Sequence, residues 1–301
     1  MPDHFTLDEI ADGVFAAVAT ATGAAISNAA IIDLGDKAIV FDAFQTAAAA
    51  SELRDAVAEA TGKSAYLLVN SHWHSDHTGG NQVFEDLPIV GTARMVELIA
   101  EDTPDDLDAW AAEIDGYLDT FRTRLDSDDA AERALAERRV ASLQHIRDGI
   151  PGFRLALPDL QIGGAMVIEG ERRVELLVAP EVAHTESDIY AWVPDTKTVV
   201  AGDLVWNRLH PRIRDGNPRT WADSVETISL MEPEHVVPGH GRPAEGAFAA
   251  EMARYLRGVA DVIAEVRNGA DPDSVRLPQG SEEWGDESRF RQGVRLLGTG
   301  D

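Results

Sequence analysis

One short stretch decides how this chain folds and what it can bind, and it reads His72-Trp73-His74-Ser75-Asp76-His77. It places four potential metal ligands within six positions, and it holds three of the nine histidines of the chain. In an extended or loop backbone, residues two apart point the same way, so His72 and His74 can bind one ion. Asp76 and His77 then turn toward a neighbouring ion. The stretch therefore predicts a site for two metals.

The sequence on either side of this motif predicts where it lies in a fold. Residues 64–70, Ser-Ala-Tyr-Leu-Leu-Val-Asn, have the apolar character of a buried strand. Gly79-Gly80 is followed by residues 81–84, Asn-Gln-Val-Phe, which resemble the start of a helix. The ligands therefore follow the carboxyl end of a strand, which is where α/β folds usually place their sites.

The remaining pattern alternates strands and helices. We predict strands over residues 5–42, a helix over 46–59 that ends at Thr61-Gly62, and a second series of strands over 165–200. Between the two strand series, residues 95–145 change to charged segments with helical periodicity. Further helices are predicted over 222–231, 247–268 and 282–297. The economical interpretation is an α/β fold in a single domain, 1–301, with a helical insertion at about 95–150.

Composition limits the class of partner. The chain has 301 residues and is 44% hydrophobic, which is enough to bury a substantial core. Its 53 acidic and 26 basic side chains give a net charge of -27, so nucleic acid is a poor partner. An acidic chain with only three lysines is typical of a halophilic protein, and equally of a GC-rich genome. Both explanations stay open.

Neither membrane insertion nor export is expected. The longest uncharged stretch, Val14 to Ile32, is mostly alanine with polar interruptions and is poorly apolar for a membrane span. No basic residue precedes Lys37, so the start lacks the basic segment of a signal peptide, and a cytoplasmic location is expected. The absence of cysteine leaves histidine and carboxylates as the metal ligands.

Three further donors follow predicted strands. They are His184 in Ala183-His184-Thr185, Asp203 in Ala201-Gly202-Asp203, and His240 in Pro238-Gly239-His240. A lone histidine after a strand is more often structural than a ligand. Three such donors in order after the first motif instead indicate the rest of a two-metal site.

With these motifs, the chain resembles the metallo-beta-lactamase superfamily of metal-dependent hydrolases. The resemblance implies a four-layer αββα sandwich that binds two divalent ions, with zinc favoured over iron or manganese. By motif position it implies that His72, His74 and His184 bind the first ion. Asp76, His77 and His240 would bind the second, Asp203 would bridge them, and Asp42 would support the site from behind the ligands.

The resemblance also implies a reaction. A metal-bound hydroxide would attack the carbonyl of an ester, thioester or lactone, with Asp76 and Asp203 as catalytic residues. The ligand set is most similar to that of glyoxalase II and lactonases, and an aspartate at position 203 makes beta-lactamase activity less favoured. A single-iron sulfur dioxygenase-type oxidoreductase and a non-catalytic metal-binding protein remain alternatives.

Substrate contacts are predicted only from closeness in sequence to the ligands. The small-molecule substrate would meet aromatic and polar side chains near the motifs, and the helical insertion would select it. These residues are Phe44, Trp73, Trp206, Asn207 and His210.

Overall fold

The computed structural model describes residues 2–299 and shows a mixed α/β chain. The described residues form two β-sheets and eight α-helices. The chain divides into two compact units, and the described parts are residues 2–9 with 15–161 in the first and 10–14 with 162–299 in the second. Over the described range, no helix combines the length and apolarity needed to cross a membrane.

The first unit contains nearly all of a seven-stranded sheet whose strands lie in chain order. Strands β3 and β4 are antiparallel, whereas β4, β5, β6 and β7 run parallel to one another. All four residues of β4 are buried, as expected for a strand inside a parallel array. The strands are β1 Phe5–Ala11, β2 Val14–Ala19, β3 Ala29–Asp33, β4 Ala38–Phe41, β5 Ala65–Val69, β6 Ile89–Gly91 and β7 Leu160–Gln161.

Helix α1, Ala47–Thr61, connects β4 to β5 and fixes the direction of the parallel strands. The Thr46 hydroxyl accepts from the Ala49 N–H at its start. Gly62 ends it at φ +70°, the left-handed conformation that glycine adopts without strain, as the sequence predicted. Because β4 and β5 are parallel, their carboxyl ends meet at one edge, so the residues after them are neighbours.

Three longer helices lie within the predicted insertion. They are α3 Ala93–Asp102, α4 Leu107–Arg122 and α5 Ala130–Gly149. Asp106 and Asp129 cap α4 and α5 by accepting backbone N–H groups, which explains where both helices begin. Helices α4 and α5 share a small apolar core built on Ile114, Leu118 and Ile150.

The second unit contains the six-stranded sheet, in the order β13-β12-β11-β10-β9-β8. Strands β8 to β11 are antiparallel neighbours, and β12 runs parallel to β11. Every residue of β11 is buried. The strands are β8 Met166–Ile168, β9 Val174–Val178, β10 Ile189–Val193, β11 Thr198–Trp206, β12 His235–His240 and β13 Ala244–Glu245.

Helices α6 Pro218–Leu230, α7 Phe248–Arg267 and α8 Glu287–Thr299 complete the second unit. The Asn217 side chain caps α6, and Pro218 suits its first position because no backbone donor is needed there. The apolar faces of these helices pack with β11 in one core that includes Trp221 and Leu256.

Candidate metal centre

The motif after β5 forms a turn that brings ring nitrogens together. Nε2 of His72 lies 2.9 Å from Nδ1 of His74, and both side chains are buried. His74 immediately precedes α2, a single helical turn over Ser75–Thr78, so the second half of the motif is helical and not extended. The Asn70 side-chain amide donates to the carbonyl of His77 at 3.3 Å and ties this turn back to the end of β5.

Asp42 holds the ligand turn from behind. It follows β4, adopts φ +66°, and accepts from the Ser71 N–H at 2.6 Å and the Ser71 hydroxyl at 2.8 Å. Its other contact is Nδ1 of His77, at 2.7 Å. A proton on Nδ1 places the ring lone pair of His77 on Nε2, the nitrogen that a metal would need. Burial raises the pKa of Asp42, and the adjacent His77 opposes that rise.

Asp76 and His77 form the second donor pair of the first unit. Nε2 of His77 lies 3.8 Å from Oδ2 of Asp76, so the lone-pair nitrogen and a carboxylate oxygen are neighbours. His77 is buried, whereas Asp76 is half-buried. One carboxylate with partial access to solvent can both bind a cation and exchange a proton.

In the second unit, Asp203 lies between two histidines. Its Oδ2 is 3.2 Å from Nε2 of His184, and its Oδ1 is 3.5 Å from Nε2 of His240. The two oxygens of one carboxylate therefore address two different imidazoles. All three side chains are buried or nearly so. A carboxylate and two imidazoles are donor types that bind metal ions.

The backbone of β11 explains how Asp203 reaches this position. The pairing of β11 with β12 shifts register between Val200 and Gly202 and again before Trp206. Gly202 has φ +51°, which a residue with a side chain adopts only under strain. These irregularities interrupt the pairing of β11 with β12 around the aspartate, as β-bulges commonly do beside functional sites.

Asp188 organises the loop that carries His184, and sequence analysis gave it no role. Its carboxylate accepts from the Thr185 N–H at 2.8 Å and from the Thr185 hydroxyl at 2.9 Å. Burial raises the pKa of Asp188 to about 6. The signal available in the sequence was an aspartate three residues after a threonine in a short polar loop, which is typical of side-chain-to-backbone turns.

Two tryptophans pack against the ligands of the second unit. The Trp206 ring stacks on His240 with centroids 3.9 Å apart, and Trp221 contacts His184 edge-on at 4.9 Å. The Trp221 N–H donates to the carbonyl of Leu204 at 2.9 Å. Such packing limits the orientations of the imidazole rings. Trp206 was predicted as a substrate contact, whereas Trp221 was not singled out by the sequence.

The other residues predicted to contact substrate lie in varied surroundings. Phe44 is fully buried and packs on Phe5, with ring centroids 5.3 Å apart. Trp73 is half-buried beside His74, at 4.4 Å between rings. The Asn207 side chain donates to the carbonyl of Arg242 at 2.8 Å.

His210 lies in the core of the second unit among aromatic side chains. It is fully buried, and its Nδ1 is 2.9 Å from the hydroxyl of Tyr255. Burial raises the pKa of Tyr255, so that hydroxyl stays protonated where it meets the imidazole. Burial likewise lowers the pKa of His210 below its ordinary 6.5, although Asp286 and Glu287 oppose the shift.

The buried His210 should make folding stability depend on pH. In the unfolded chain His210 binds a proton near pH 6.5, whereas in the folded chain it does so only at lower pH. The stability that the neutral, buried His210 contributes is therefore complete above pH 6.5 and is lost as the pH falls. Between about pH 7.5 and about pH 5.5, the free energy of unfolding should therefore decrease by more in the wild-type protein than in His210→Phe. His235→Gln, at a half-buried position, is the control and should retain the wild-type slope. Equal slopes in wild type and His210→Phe would contradict the expectation.

The donors fit a metal ion by their chemistry. Within the first unit the ligand atoms of His72 and His74 lie within 4.8 Å of each other, as do those of Asp76 and His77. Within the second unit the same holds for His184 and Asp203. Imidazole and carboxylate donors of this kind bind zinc, iron and manganese. These groups could bind metal ions.

Comparison with known proteins gives a family and a fold. The model of the metallo-beta-lactamase superfamily matches residues 22–240 of the chain. Among solved structures, the chain is similar to a metallo-beta-lactamase from Pontibacter korlensis, with a TM-score of 0.60 and 15% identity over 84% of this chain and 99% of that one. At that identity the similarity shows the fold alone. No curated protein matches the chain.

Proposed function

The chain belongs to the metallo-beta-lactamase superfamily, and from that membership we propose that it is a dinuclear metal-dependent hydrolase of esters, thioesters or lactones. Most members of the superfamily are hydrolases. The proposal assigns the ions, with zinc favoured, to seven histidine and aspartate donors. These donors are His72, His74, Asp76, His77, His184, Asp203 and His240.

The observation that carries the proposal is the position of Asp203 between His184 and His240. One carboxylate with each oxygen beside a different imidazole, at 3.2 and 3.5 Å, is what a bridging ligand requires. A second donor pair in the first unit, Asp76 with His77, supports two ions over the single-iron alternative. A site for one ion has no need of this further pair.

The ions, when bound, would acidify water and polarise a substrate carbonyl. The residues of the chain supply the rest. Asp42 holds His77 in one tautomer through the 2.7 Å contact to Nδ1. The half-buried carboxylate of Asp76 is proposed to take a proton from the attacking water at Oδ2 and return it to the leaving group. Trp206 and Trp221 fix the rings of His240 and His184.

The proposal is tested by metal content and turnover measured on the same protein. We expect two equivalents of divalent metal per chain and hydrolysis of at least one ester, thioester or lactone at low or high salt. His235→Ala, which changes a histidine outside the donor set, should leave both unchanged. One iron per chain with consumption of oxygen would favour the dioxygenase alternative. Metal-loaded protein that turns over none of these substrates would refute the proposed hydrolase activity.

Gly239→Ala is expected to weaken metal binding by roughly 10- to 100-fold, the range seen when groups that position ligands are changed. An alanine Cβ at position 239 would overlap with Oδ1 of Asp203 and lie 2.8 Å from the carbonyl carbon of Gly202. The Asp203 carboxylate and the neighbouring backbone must then shift, which disturbs the position of this proposed ligand. Metal titration against a chelator measures the change. Gly164→Ala, where a Cβ meets nothing within 4 Å, is the control, and equal affinities in the two variants would contradict the expectation.

A further inference from the structure

A cavity of about 260 Å³ lies in the first unit beside the ligand turn. Ser75 and Thr78, from the same helical turn as Asp76 and His77, form one side of it. The end of α3 and the start of α4 form another, and the segment after α5 closes it. The cavity thus joins the helical insertion to the turn that carries half of the proposed ligands.

Apolar side chains form one part of the cavity wall. Trp110 and Phe153 meet edge-to-face with ring centroids 5.3 Å apart, and the buried Ile99 lines the same cavity. Leu155 contributes to the same wall although it is 44% exposed. An exposed leucine beside two half-buried aromatic rings offers apolar area that a ligand would remove from water.

The cavity lining carries two acidic side chains and one basic side chain. Asp102 and Glu113 both contribute to its lining. Arg154 is the cation among the lining residues, and its guanidinium already pairs with Glu85 at 2.7 Å. A carboxylate-bearing ligand would therefore meet two negative charges and one cation that is partly neutralised. The net charge of -27 adds to this repulsion.

We propose that this cavity binds the uncharged acyl or ring portion of the substrate, with Trp110, Phe153 and Leu155 as its apolar contacts. The inference rests on the proposed hydrolase function, since it places the apolar part of the substrate beside the turn that holds Asp76. A volume of about 260 Å³ corresponds to roughly nine water volumes at ~30 Å³ each. That is room for a short chain or a single ring. Asp102 and Glu113 then exclude anionic substrates such as glutathione thioesters.

Binding can be tested without turnover. Hexanamide, an uncharged six-carbon amide, is titrated into metal-loaded protein while the methyl NMR signals of Ile99 and Leu155 are observed. Hexanoate, of the same length but anionic, is the matched ligand. We expect hexanamide to shift the Ile99 methyl signals. Hexanoate should bind at least about fivefold more weakly in the same titration, since the acidic side chains of the wall repel its carboxylate. Glu113→Gln removes one of these negative charges and should reduce the difference in affinity between hexanamide and hexanoate.

Two variants remove the apolar wall. Trp110→Ala and Leu155→Ala should each weaken hexanamide binding by at least about fivefold, because each deletes area that the ligand covers. If Trp110→Ala unfolds the insertion, Leu155→Ala still tests the proposal, because Leu155 is exposed and its truncation should not disturb folding. Leu160→Ala is its control, since Leu160 is 39% exposed in the same unit and does not line the cavity.

The outcomes separate this inference from the proposed function. Shifts at Ile99 that Leu155→Ala abolishes support the cavity even when no ester, thioester or lactone is turned over. The cavity assignment would be overturned if the protein hydrolysed a substrate, hexanamide shifted no Ile99 signal, and Leu155→Ala and Leu160→Ala had equal kinetics. The proposed hydrolase function would still stand in that case. Tighter binding of hexanoate than of hexanamide would overturn the proposed selection against anions.

Discussion

Asp203→Ala is expected to lower hydrolytic activity by more than ~100-fold and to reduce the bound metal, since even outer partners of a ligand change metal affinity by 10- to 100-fold. Asp203 is the carboxylate that lies beside both His184 and His240. Removing it takes one donor from each proposed ion at once. Two cations held close together would also lose the negative charge that offsets their repulsion. Metal analysis and initial rates on the same preparation measure both effects.

Two comparisons show whether the loss comes from the site itself. Asp203→Asn keeps the size of the side chain beside Gly239 and removes its charge, so it should lose metal as well. Asp261→Ala removes an exposed carboxylate of the same unit that pairs with Arg219 at 3.2 Å, a surface pair worth at most about 1 kcal/mol. It should retain full activity. Native circular dichroism with undiminished metal and turnover in Asp203→Ala would refute the ligand assignment.

The sequence predicted the fold and the donors for a physical reason. A buried apolar strand followed by polar ligands is a local pattern, and it holds at Asp42 after β4 and at His72 after β5. Asp203 was expected to follow a strand as well, but it lies inside β11, and His184 lies in the loop between β9 and β10. Parallel pairing of β4 with β5 then places Asp42 beside the turn that contains His72. The family match over residues 22–240 and the solved structure confirm the superfamily and its fold. The single-domain boundary and the complete ligand set remain predictions.

Other features depend on contacts that are distant in sequence. The register shifts of β11 are set by its pairing with β12, more than thirty residues away, so no local pattern marks the bulge at Gly202. Trp221 reaches Leu204 and His184 only after α6 packs on the sheet. Two of the substrate contacts predicted from closeness in sequence lie in the core, and whether they meet substrate remains a prediction. Phe44 and His210 follow strands or ligands along the chain, and both are fully buried in the core.

Trp221→Ala should have the largest effect on folding, with a loss of roughly 3–5 kcal/mol in the free energy of unfolding, as for other large-to-small core substitutions. Trp221 is fully buried in the core of the second unit. Its deletion leaves a cavity beside His184. It also removes the N–H that donates to the carbonyl of Leu204 at 2.9 Å, so that buried acceptor loses its partner. Guanidinium-induced unfolding of metal-free protein measures the loss and separates it from metal binding.

Trp221→Phe separates packing from hydrogen bonding and stays informative if the alanine variant fails to fold. Phenylalanine keeps most of the ring against His184 but cannot donate to Leu204, so we expect a smaller loss of about 1–3 kcal/mol, the cost of an unsatisfied buried acceptor. Leu230→Ala, at a residue of α6 that is 78% exposed, should change stability by less than about 0.5 kcal/mol. A Trp221→Phe variant as unstable as Trp221→Ala would show that the hydrogen bond outweighs packing. Wild-type stability in both Trp221 variants would contradict the position of this tryptophan in the core, because a fully buried ring cannot be removed without cost.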